Sequence, residues 1–304
     1  MSEQKRVIAF GFFDGVHVGH AALMDVTKRR AAELGAVPTV LTFDTHPDNL
    51  VKNTVVPLIN TPDERVDIIH RLFDIHSVVF IHFNETFMKM PWQQFAEALT
   101  RELDACHFVV GHDFCFGYKG EGTSEKLADY CAARGMGCDI VPAVLVDGER
   151  VSSTRIRQLI SDGDIVRANK LLGHPHCLVD TVRYGYRLGT KLGTPTINMQ
   201  FRPGVVVPRF GVYAAKVHLD DGGTYMAVTN VGVRPTVAGE ERAVSVESYI
   251  LDYSGNLYEH RVRVDFYLFI RPEQKFSGVE ELRAQILRDA ETTRAYFASQ
   301  EALN

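Results

Sequence analysis

The chain has 304 residues, of which 45% are hydrophobic and 23% are charged, and its formal net charge is −5. This composition is typical of globular proteins, and the length favours two domains over one. No basic block indicates nucleic acid or a membrane surface as a partner, and no apolar run reaches the about 18 residues of a membrane span. The five cysteines form no C-x-x-C pair, which argues against a zinc site or a disulfide framework and favours a cytoplasmic location.

The first half of the chain alternates strand-like and helix-like segments. Hydrophobic runs predict buried strands at Val7–Phe12, Pro38–Phe43, Ser77–Phe83, Phe108–Phe114 and Asp139–Ala143. Amphipathic patterns between these runs predict helices at Ala21–Leu34, Pro62–Phe73, Trp92–Leu103 and Ser124–Arg134. The alternation predicts an α/β domain in which helices wrap a parallel sheet and ligands bind at the carboxyl ends of the strands.

The pattern changes near residue 180, where short alternating runs separated by turn signals begin. These runs predict strands at Gly211–Leu219, Tyr225–Val231, Val244–Asp252 and Arg261–Phe269. Together they predict a small antiparallel β-barrel, followed by a terminal helix over Val279–Ala298. A short helix over Asp162–Leu172 is predicted to bridge the two domains, which we expect to span residues 1–178 and 179–304.

The segment Gly11–His20 reads G-F-F-D-G-V-H-V-G-H and stands where the first strand ends and the first helix begins. A helix N-terminus presents unpaired backbone N–H groups and a partial positive charge, and both attract phosphate. His17 and His20 fall on one face of the first turn, where imidazole N–H donors would stabilise charge on a triphosphate. A lone histidine here is usually a cap or a surface residue, but two histidines among three glycines favour a phosphate site.

A second polar segment, Val151–Arg157, reads V-S-S-T-R-I-R and follows the last strand of the first half. Its hydroxyl residues suit a helix cap, which is the plain structural interpretation. Two arginines are unusual in a cap, however. Arg155 and Arg157 cannot both lie on the face that Ile156 buries, so at least one reaches into open space. An arginine fork beside a helix N-terminus suits a polyphosphate.

Both segments resemble motifs of a known family. Gly11–His20 resembles the H-x-G-H signature of the nucleotidyltransferase superfamily, in the form that is closest to the FMN adenylyltransferase module of bacterial bifunctional riboflavin kinase/FAD synthetases. Val151–Arg157 is similar to that family's I-S-S-T-x-I-R element. The resemblance implies a Rossmann-like nucleotidyltransferase domain in which His17 and His20 are catalytic. The implied ATP- and phosphate-binding residues of this domain are Gly11, Phe13, Asp14, Gly15, Ser153, Thr154 and Arg157.

Two other strand ends are similar to family segments that touch flavin and nucleotide. Thr42–Pro47 follows the second strand, and Gly111–Gly117 ends the fourth. Taken alone, each segment is equally compatible with a simple turn. The flavin contacts that the resemblance implies here are Asp44, His46, Asp113 and Phe114.

In the second half, Gly193–Asn198 reads G-T-P-T-I-N and resembles the P-T-A-N signature of riboflavin kinases. Thr196 and Asn198 offer a hydroxyl and an amide oxygen, which are hard ligands suited to Mg²⁺. In an extended strand, positions two apart share a face, so both could meet one ion. The P-T-I-N run by itself is also compatible with a turn, but further resemblances to riboflavin kinases follow at Asn230–Thr236 and Arg271–Phe276.

The run Ser245–Leu251 resembles the strand that carries the acidic residue of riboflavin kinases. The resemblance implies that Glu247 is the general base that accepts the proton of the ribityl hydroxyl. Alternation places Glu247 opposite Val246 and Ser248 but leaves open which face points inward, so a solvated strand residue is the alternative. The resemblance also implies ATP contacts from Lys191 and Gly193 and flavin contacts from Arg234 and Arg271.

The function that the resemblance implies is bifunctional FAD biosynthesis. The barrel would phosphorylate riboflavin to FMN, and the α/β domain would adenylylate FMN to FAD, with ATP and Mg²⁺ in both steps and pyrophosphate released in the second. No nucleic acid or membrane partner is expected, and the oligomeric state is open.

One departure from the family motivates an alternative function. In the glycine-rich lead Gly185–Gly193, Leu188 and Thr190 stand where the family usually has arginine, although Arg187 and Lys191 lie one residue away. The alternative is therefore an FMN adenylyltransferase whose kinase-like barrel only binds flavin. Two other possibilities are a flavin-responsive binding protein without catalysis and a nucleotidyltransferase that acts on another phosphate.

Overall fold

The computed structural model describes residues 4–184, 194–233 and 244–302 of the chain. Contacts between residues divide it into two compact units, residues 1–153 and 154–304. The predicted boundary after residue 178 concerns which residues serve which activity, and it stays a prediction.

The first unit contains a five-stranded sheet in the order β3-β2-β1-β4-β7, and all four pairings are parallel. Its strands are β1 (Arg6–Phe10), β2 (Val37–Phe43), β3 (Ser77–Ile81), β4 (Ala105–Gly111) and β7 (Gly137–Val141). Two short hairpins are formed by β5 (Cys115–Phe116) with β6 (Gly122–Thr123) and by β8 (Leu145–Val146) with β9 (Glu149–Arg150). Because the strand order reverses between β1 and β4, a ligand crevice is expected outside their carboxyl ends.

Helices lie between the strands of this sheet, as the alternation predicts. They are α1 (Val18–Leu34), α2 (Pro47–Val51), α3 (Pro62–Phe73), α4 (Glu85–Met88), α5 (Trp92–Glu102) and α6 (Ser124–Ala132). The start of α3 is fixed by a capping box, in which Thr61 and Glu64 each accept the other's backbone N–H. α1 ends at Gly35, whose φ of 60° is the left-handed conformation that glycine adopts without a steric penalty. The parallel α/β domain predicted from the sequence is thus confirmed.

The second unit contains a six-stranded antiparallel sheet in the order β10-β15-β12-β13-β14-β11. Its strands are β10 (His176–Thr181), β11 (Thr196–Gln200), β12 (Gly211–His218), β13 (Thr224–Val233), β14 (Val244–Ile250) and β15 (Arg261–Arg271). The sheet curls, and its edge strands are β10 and β11. Arg183, two residues beyond the end of β10, forms an isolated antiparallel bridge with Asn198 on β11. The sheet is therefore a half-barrel joined at one point, and the terminal helix α9 (Val279–Glu301) packs against β12 and β13.

The helix predicted over residues 162–172 is present as a separate helix, but it begins three residues later than predicted. α7 runs from Ser153 to Asp162, and α8 (Ile165–Leu172) follows it. Gly163 separates the two helices with a φ of 85°, and Asp164 caps α8 by accepting the N–H of Arg167. The predicted start was too early because Asp162 is the last residue of α7 and Asp164 caps the next helix.

Candidate active sites

The loop between β1 and α1 combines tight packing with an uncommon backbone. Phe13 and Val16 adopt φ values of 56° and 39°, and both side chains are almost fully buried. A β-branched residue such as Val16 seldom occupies that region, so the surrounding contacts must hold the loop in place. At Gly11, an added Cβ would lie 3.0 Å from the Phe13 ring. The sequence motif therefore specifies one backbone shape at the carboxyl end of β1.

His17 and His20 form a reciprocal cap at the start of α1. The Nδ1 atom of His17 accepts the N–H of His20 at 3.2 Å, and Nδ1 of His20 accepts the N–H of His17 at 3.3 Å. The two rings stack with centroids 3.5 Å apart. Because both Nδ1 atoms accept hydrogen bonds, a neutral ring carries its proton on Nε2, where it is a donor. The two residues are thus caps and candidate phosphate donors at the same time.

The surroundings of the pair favour the neutral form of His20. Burial lowers the pKa of His20 well below its usual value, and the electrostatic interactions with His17 and Arg65 lower it further. The ring therefore stays neutral near pH 7, where it donates a hydrogen bond without adding a second buried charge.

A cavity of about 350 Å³ opens above this loop, and we call it the amino-terminal cavity. It brings together seven of the predicted site residues, which are Gly11, Phe13, His17, His20, Asp113, Phe114 and Ser153. The Ser153 hydroxyl donates to the carbonyl of Asp14 at 2.8 Å, which joins the start of α7 to the β1–α1 loop. Two motifs far apart in sequence thus meet at the carboxyl end of the sheet.

Asp14 and Asp44 have protein partners close to this loop. The buried Asp14 carboxylate accepts the backbone N–H groups of Ile59 at 2.9 Å and Asn60 at 3.4 Å. Asp44 contacts the His82 ring at 2.6 Å and accepts the N–H of Phe83. These contacts anchor neighbouring loops, and the predicted ligand roles of both carboxylates stay predictions.

The remaining predicted residues around this motif occupy different settings. His46 caps α2 and packs edge-on against Phe12 with centroids 4.7 Å apart. Gly15 is buried, with a φ of 80°. On α7, Thr154 is exposed and Arg157 is half-buried. Their binding roles stay predictions.

Arg65 on α3 is a residue that the sequence analysis missed. It is fully buried, and its Nη1 atom donates to the carbonyls of Phe12 and Phe43 and to the hydroxyl of Thr42, at 2.8 to 3.1 Å. The signal that could have revealed it is its place one turn before Ile68 and Ile69, on the buried face of an amphipathic helix. A buried arginine at such a position usually has a specific partner.

In the second unit, strand register places three polar side chains side by side. Glu247 on β14 is directly opposite Asn198 on β11 and directly opposite Asn230 on β13. Residues opposite each other in antiparallel strands share a face, with Cβ atoms about 5 Å apart. The neighbours Val246 and Ser248 are buried on the other face. The inward face of β14 therefore carries Val246 and Ser248, and Glu247 shares the other face with the P-T-I-N asparagine. The role of Glu247 as the base stays a prediction.

A cavity of about 210 Å³ lies on this face, and we call it the sheet cavity. Its lining includes Thr194, Thr196, Asn230, Glu247, Arg271 and Phe276. Arg271 lines the cavity while its guanidinium forms a fork with the buried carboxylate of Asp289 on α9, at 2.8 to 3.1 Å. Asp289 was not foreseen, because its register against β15 depends on how α9 packs. The role of Arg271 in flavin binding stays a prediction.

A second cavity of about 410 Å³, here the loop cavity, is lined by Val182, residues 195–197, Ile250 and residues 253–258. Tyr253, Leu257 and Tyr258 give it an aromatic and apolar wall, and the Tyr258 ring stacks on Tyr184 with centroids 4.1 Å apart. Thr196 lines both the loop cavity and the sheet cavity. Two ligands bound in the two cavities would therefore both come close to this threonine.

Three of the predicted binding residues, Lys191, Gly193 and Arg234, lie outside the described residues. The same is true of the departures from the family pattern at Leu188 and Thr190. Within residues 4–184, 194–233 and 244–302, none of the helices has both the length and the apolar character needed to cross a membrane.

The two sites define the class of the protein as a two-domain enzyme, with a nucleotidyltransferase-type α/β unit followed by a kinase-type half-barrel. Comparison with known families agrees, because residues 1–155 match the FAD synthetase family and residues 172–297 match the riboflavin kinase family. The chain is 35% identical over 97% of its length to a bifunctional riboflavin kinase/FMN adenylyltransferase of Listeria monocytogenes, 94% of which is covered. A Bacillus subtilis protein of the same description is 32% identical over 98% of the chain and 94% of its own length. The chain belongs to the family of bifunctional riboflavin kinase/FMN adenylyltransferases.

A solved structure from Streptococcus pneumoniae, described as a macrolide-efflux protein, has the same fold. It superposes with a TM-score of 0.83 at 31% identity, covering 97% of this chain and 95% of its own. The likeness in structure therefore extends over both units.

Proposed function

We propose that the chain converts riboflavin to FMN in its second unit and FMN to FAD in its first, with ATP as the donor in both steps. The observation that carries the proposal is the convergence of both family motif sets onto separate cavities. The His17/His20 pair and Ser153 line the amino-terminal cavity. Glu247 and Thr196 line the sheet cavity.

In the adenylyl transfer, an oxygen of the FMN phosphate attacks the α-phosphorus of ATP and pyrophosphate leaves. The task of the chain is to position both substrates and to stabilise the charge that develops on phosphate oxygens. The Nε2 donors of His17 and His20 would hold those oxygens, together with the N–H groups at the start of α1. Thr154 and Arg157 would hold the pyrophosphate, and Asp44, His46, Asp113 and Phe114 would contact the flavin.

In the kinase step, the ribityl hydroxyl attacks the γ-phosphorus of ATP. Glu247 would accept the hydroxyl proton, since it is half-buried and lines the sheet cavity. We assign the flavin to the sheet cavity, whose lining includes Phe276, Leu282 and Ile286, and the nucleotide to the loop cavity with its aromatic wall. Phosphoryl transfer would then take place beside Thr196, which lines both cavities.

The oxygen donors near Glu247 fit a magnesium ion. Thr196 supplies a hydroxyl, and Asn198, directly opposite Glu247, supplies an amide oxygen. When bound, Mg²⁺ neutralises charge on the phosphate oxygens of ATP. In this assignment the two side chains hold the ion, while Glu247 keeps its role as base.

The experiment is the product spectrum of the purified chain, incubated with riboflavin, ATP and Mg²⁺ and followed by chromatography. FMN should appear first and FAD should follow with release of pyrophosphate. If FMN does not form while supplied FMN is still converted to FAD, the barrel is only a binding module and the kinase half of the proposal is wrong. Flavin binding without either product would contradict both halves.

The proposal also includes the cellular location of the enzyme and the assignment of each activity to a range of residues. We expect the enzyme in the cytoplasm, where ATP and free flavins are available, with residues 1–178 serving adenylyl transfer and residues 179–304 serving phosphorylation. Its partners are then small molecules.

A further inference from the structure

The β1–α1 loop needs an external support because its backbone is strained. Positive φ angles at Phe13 and Val16 are unfavourable for side chains with a Cβ atom and persist only where neighbouring groups fix them. Carbonyls at the ends of β1 and β2 must also find donors when they are buried. One side chain donates to several of these carbonyls, and it lies outside the Gly11–His20 and Val151–Arg157 motifs.

Arg65 on α3 connects the two strand ends. Its Nη1 atom is 2.8 Å from the carbonyl oxygen of Phe12, 2.8 Å from the hydroxyl of Thr42 and 3.1 Å from the carbonyl oxygen of Phe43. The Thr42 hydroxyl itself donates to the Phe12 carbonyl at 2.8 Å. The carbonyl just before Phe13, where the positive φ angles begin, is thus tied to the end of β2.

The guanidinium also packs against the residue whose carbonyl it binds. Its central carbon is 4.5 Å from the centroid of the Phe12 ring, which is a cation–π arrangement. On the other side of the loop, Asp14 anchors the segment that leads into α3 through the N–H groups of Ile59 and Asn60. The loop and α3 therefore hold each other at two points.

The charge of Arg65 is not cancelled by a direct partner. Among the described residues, no carboxylate forms an ion pair with it, and its Nε and Nη2 atoms are buried without a hydrogen-bond partner. Burial lowers its pKa to about 10, while the nearby Asp14 opposes that shift, so the group remains charged near pH 7. A buried positive charge behind an anion-binding loop adds to the attraction for a triphosphate.

We propose that Arg65 is a positioning residue for adenylyl transfer, which fixes the Gly11–His17 loop in its triphosphate-binding shape and contributes positive potential behind it. This inference rests on the proposed adenylyltransferase function. Arg65 does not line the amino-terminal cavity, and it acts through Phe12, Thr42 and Phe43. A misplaced loop weakens both ATP binding and the alignment of the α-phosphorus.

The test compares three full-length variants for FAD synthesis from supplied FMN, with KM for ATP and kcat measured separately. Arg65→Met keeps the length and packing but loses the charge and the donors, so we expect kcat/KM for ATP to fall about 100-fold, with KM raised. Arg65→Lys keeps the charge and one donor site but loses the planar fork, so we expect a fall of about 10-fold. Riboflavin phosphorylation by the same chains should stay at the wild-type rate.

Ile69→Val is the matched control, because Ile69 is buried on the next turn of the same helix. It should lower the melting temperature while leaving KM for ATP at the wild-type value. If Arg65→Met lowers stability but keeps the wild-type KM, or if Arg65→Lys is no better than Arg65→Met, the inference is wrong. If Arg65→Met does not fold, Arg65→Lys alone decides. A raised KM for ATP in Arg65→Lys supports the inference, and a wild-type KM overturns it. If the wild-type chain makes no FAD from FMN, the proposed function itself fails, and the inference fails with it.

Discussion

The first unit carries its histidine pair on one contiguous loop, whereas the second unit brings its central polar residues together from three strands in register. In the first, Phe13 to His20 carry both the strain and the phosphate donors, and Arg65 and Asp14 brace the loop from behind. In the second, Asn198, Glu247 and Asn230 form a row that rests only on strand pairing. A site of the first kind depends on local backbone shape, while a site of the second kind depends on sheet register.

We expect the largest effect from a substitution of Glu247, which should slow the kinase step and leave adenylyl transfer unchanged. Glu247→Gln removes the proposed base while keeping the side-chain shape, so riboflavin phosphorylation should fall about 10²- to 10⁴-fold. FAD formation from supplied FMN should stay at the wild-type rate. Initial rates of both steps in one preparation check this. A variant that phosphorylates as well as the wild type would exclude Glu247 as the base.

The reciprocal change is His17→Ala, which removes one phosphate donor and half of the cap. We expect adenylyl transfer to fall about 10²- to 10³-fold, since a preorganised donor in such a site is worth that much. The kinase rate should not change. His76→Ala is a suitable control, because His76 is an exposed histidine of the same unit whose ring contacts the exposed carboxylate of Asp74 at 2.9 Å. Unchanged FAD output from His17→Ala would remove the imidazole pair from the mechanism.

The second unit should also respond to acid through His176. This histidine is fully buried, stacks against Phe201 and Phe266, and finds no hydrogen-bond partner for either ring nitrogen among the residues that the structure describes. Burial lowers its pKa to about 3, and His174 adds to that shift. The unfolded chain takes up a proton below about pH 6.5 and the folded chain does not, so the free energy of unfolding falls as the pH drops from 6.5 towards 3.

Comparison with His176→Phe isolates this contribution, because the phenyl ring preserves the stacking and has no proton to take up. From pH 7 to pH 5 the wild type should lose about 2 kcal/mol more stability than the variant. Urea unfolding followed by circular dichroism at the two pH values checks the difference. Parallel pH dependence of the two proteins would mean that the ring is protonated or solvated in the folded state.

The smallest expected effect concerns Thr194 at the edge of the sheet cavity, whose buried hydroxyl has no hydrogen-bond partner within the described part of the chain. Thr194→Val should stabilise the fold slightly, because it removes an unsatisfied polar group. If the hydroxyl binds substrate, KM for riboflavin should rise about 3- to 10-fold while FAD synthesis from FMN is unaffected. Thr194→Ser is the matched variant that should restore the wild-type KM.

The sequence by itself determined the parts of this protein that depend on local chemistry. Hydrophobic periodicity predicted the strands and helices of the parallel sheet, and the motif around His17 and His20 marked the junction of β1 and α1. The partners of Asp14 and Arg271 were not predicted. Each depends on residues far away in the chain.

Only the tertiary structure decided which distant groups meet. Alternation on β14 left both faces open for Glu247, and pairing with β11 and β13 placed it beside Asn198 and Asn230. Periodicity marked the position of Arg65 as buried, but not which carbonyls it would bind. The physical reason is that a motif encodes backbone shape and side-chain chemistry over a few residues. Register and the pairing of buried polar groups, in contrast, follow from the packing of the whole domain.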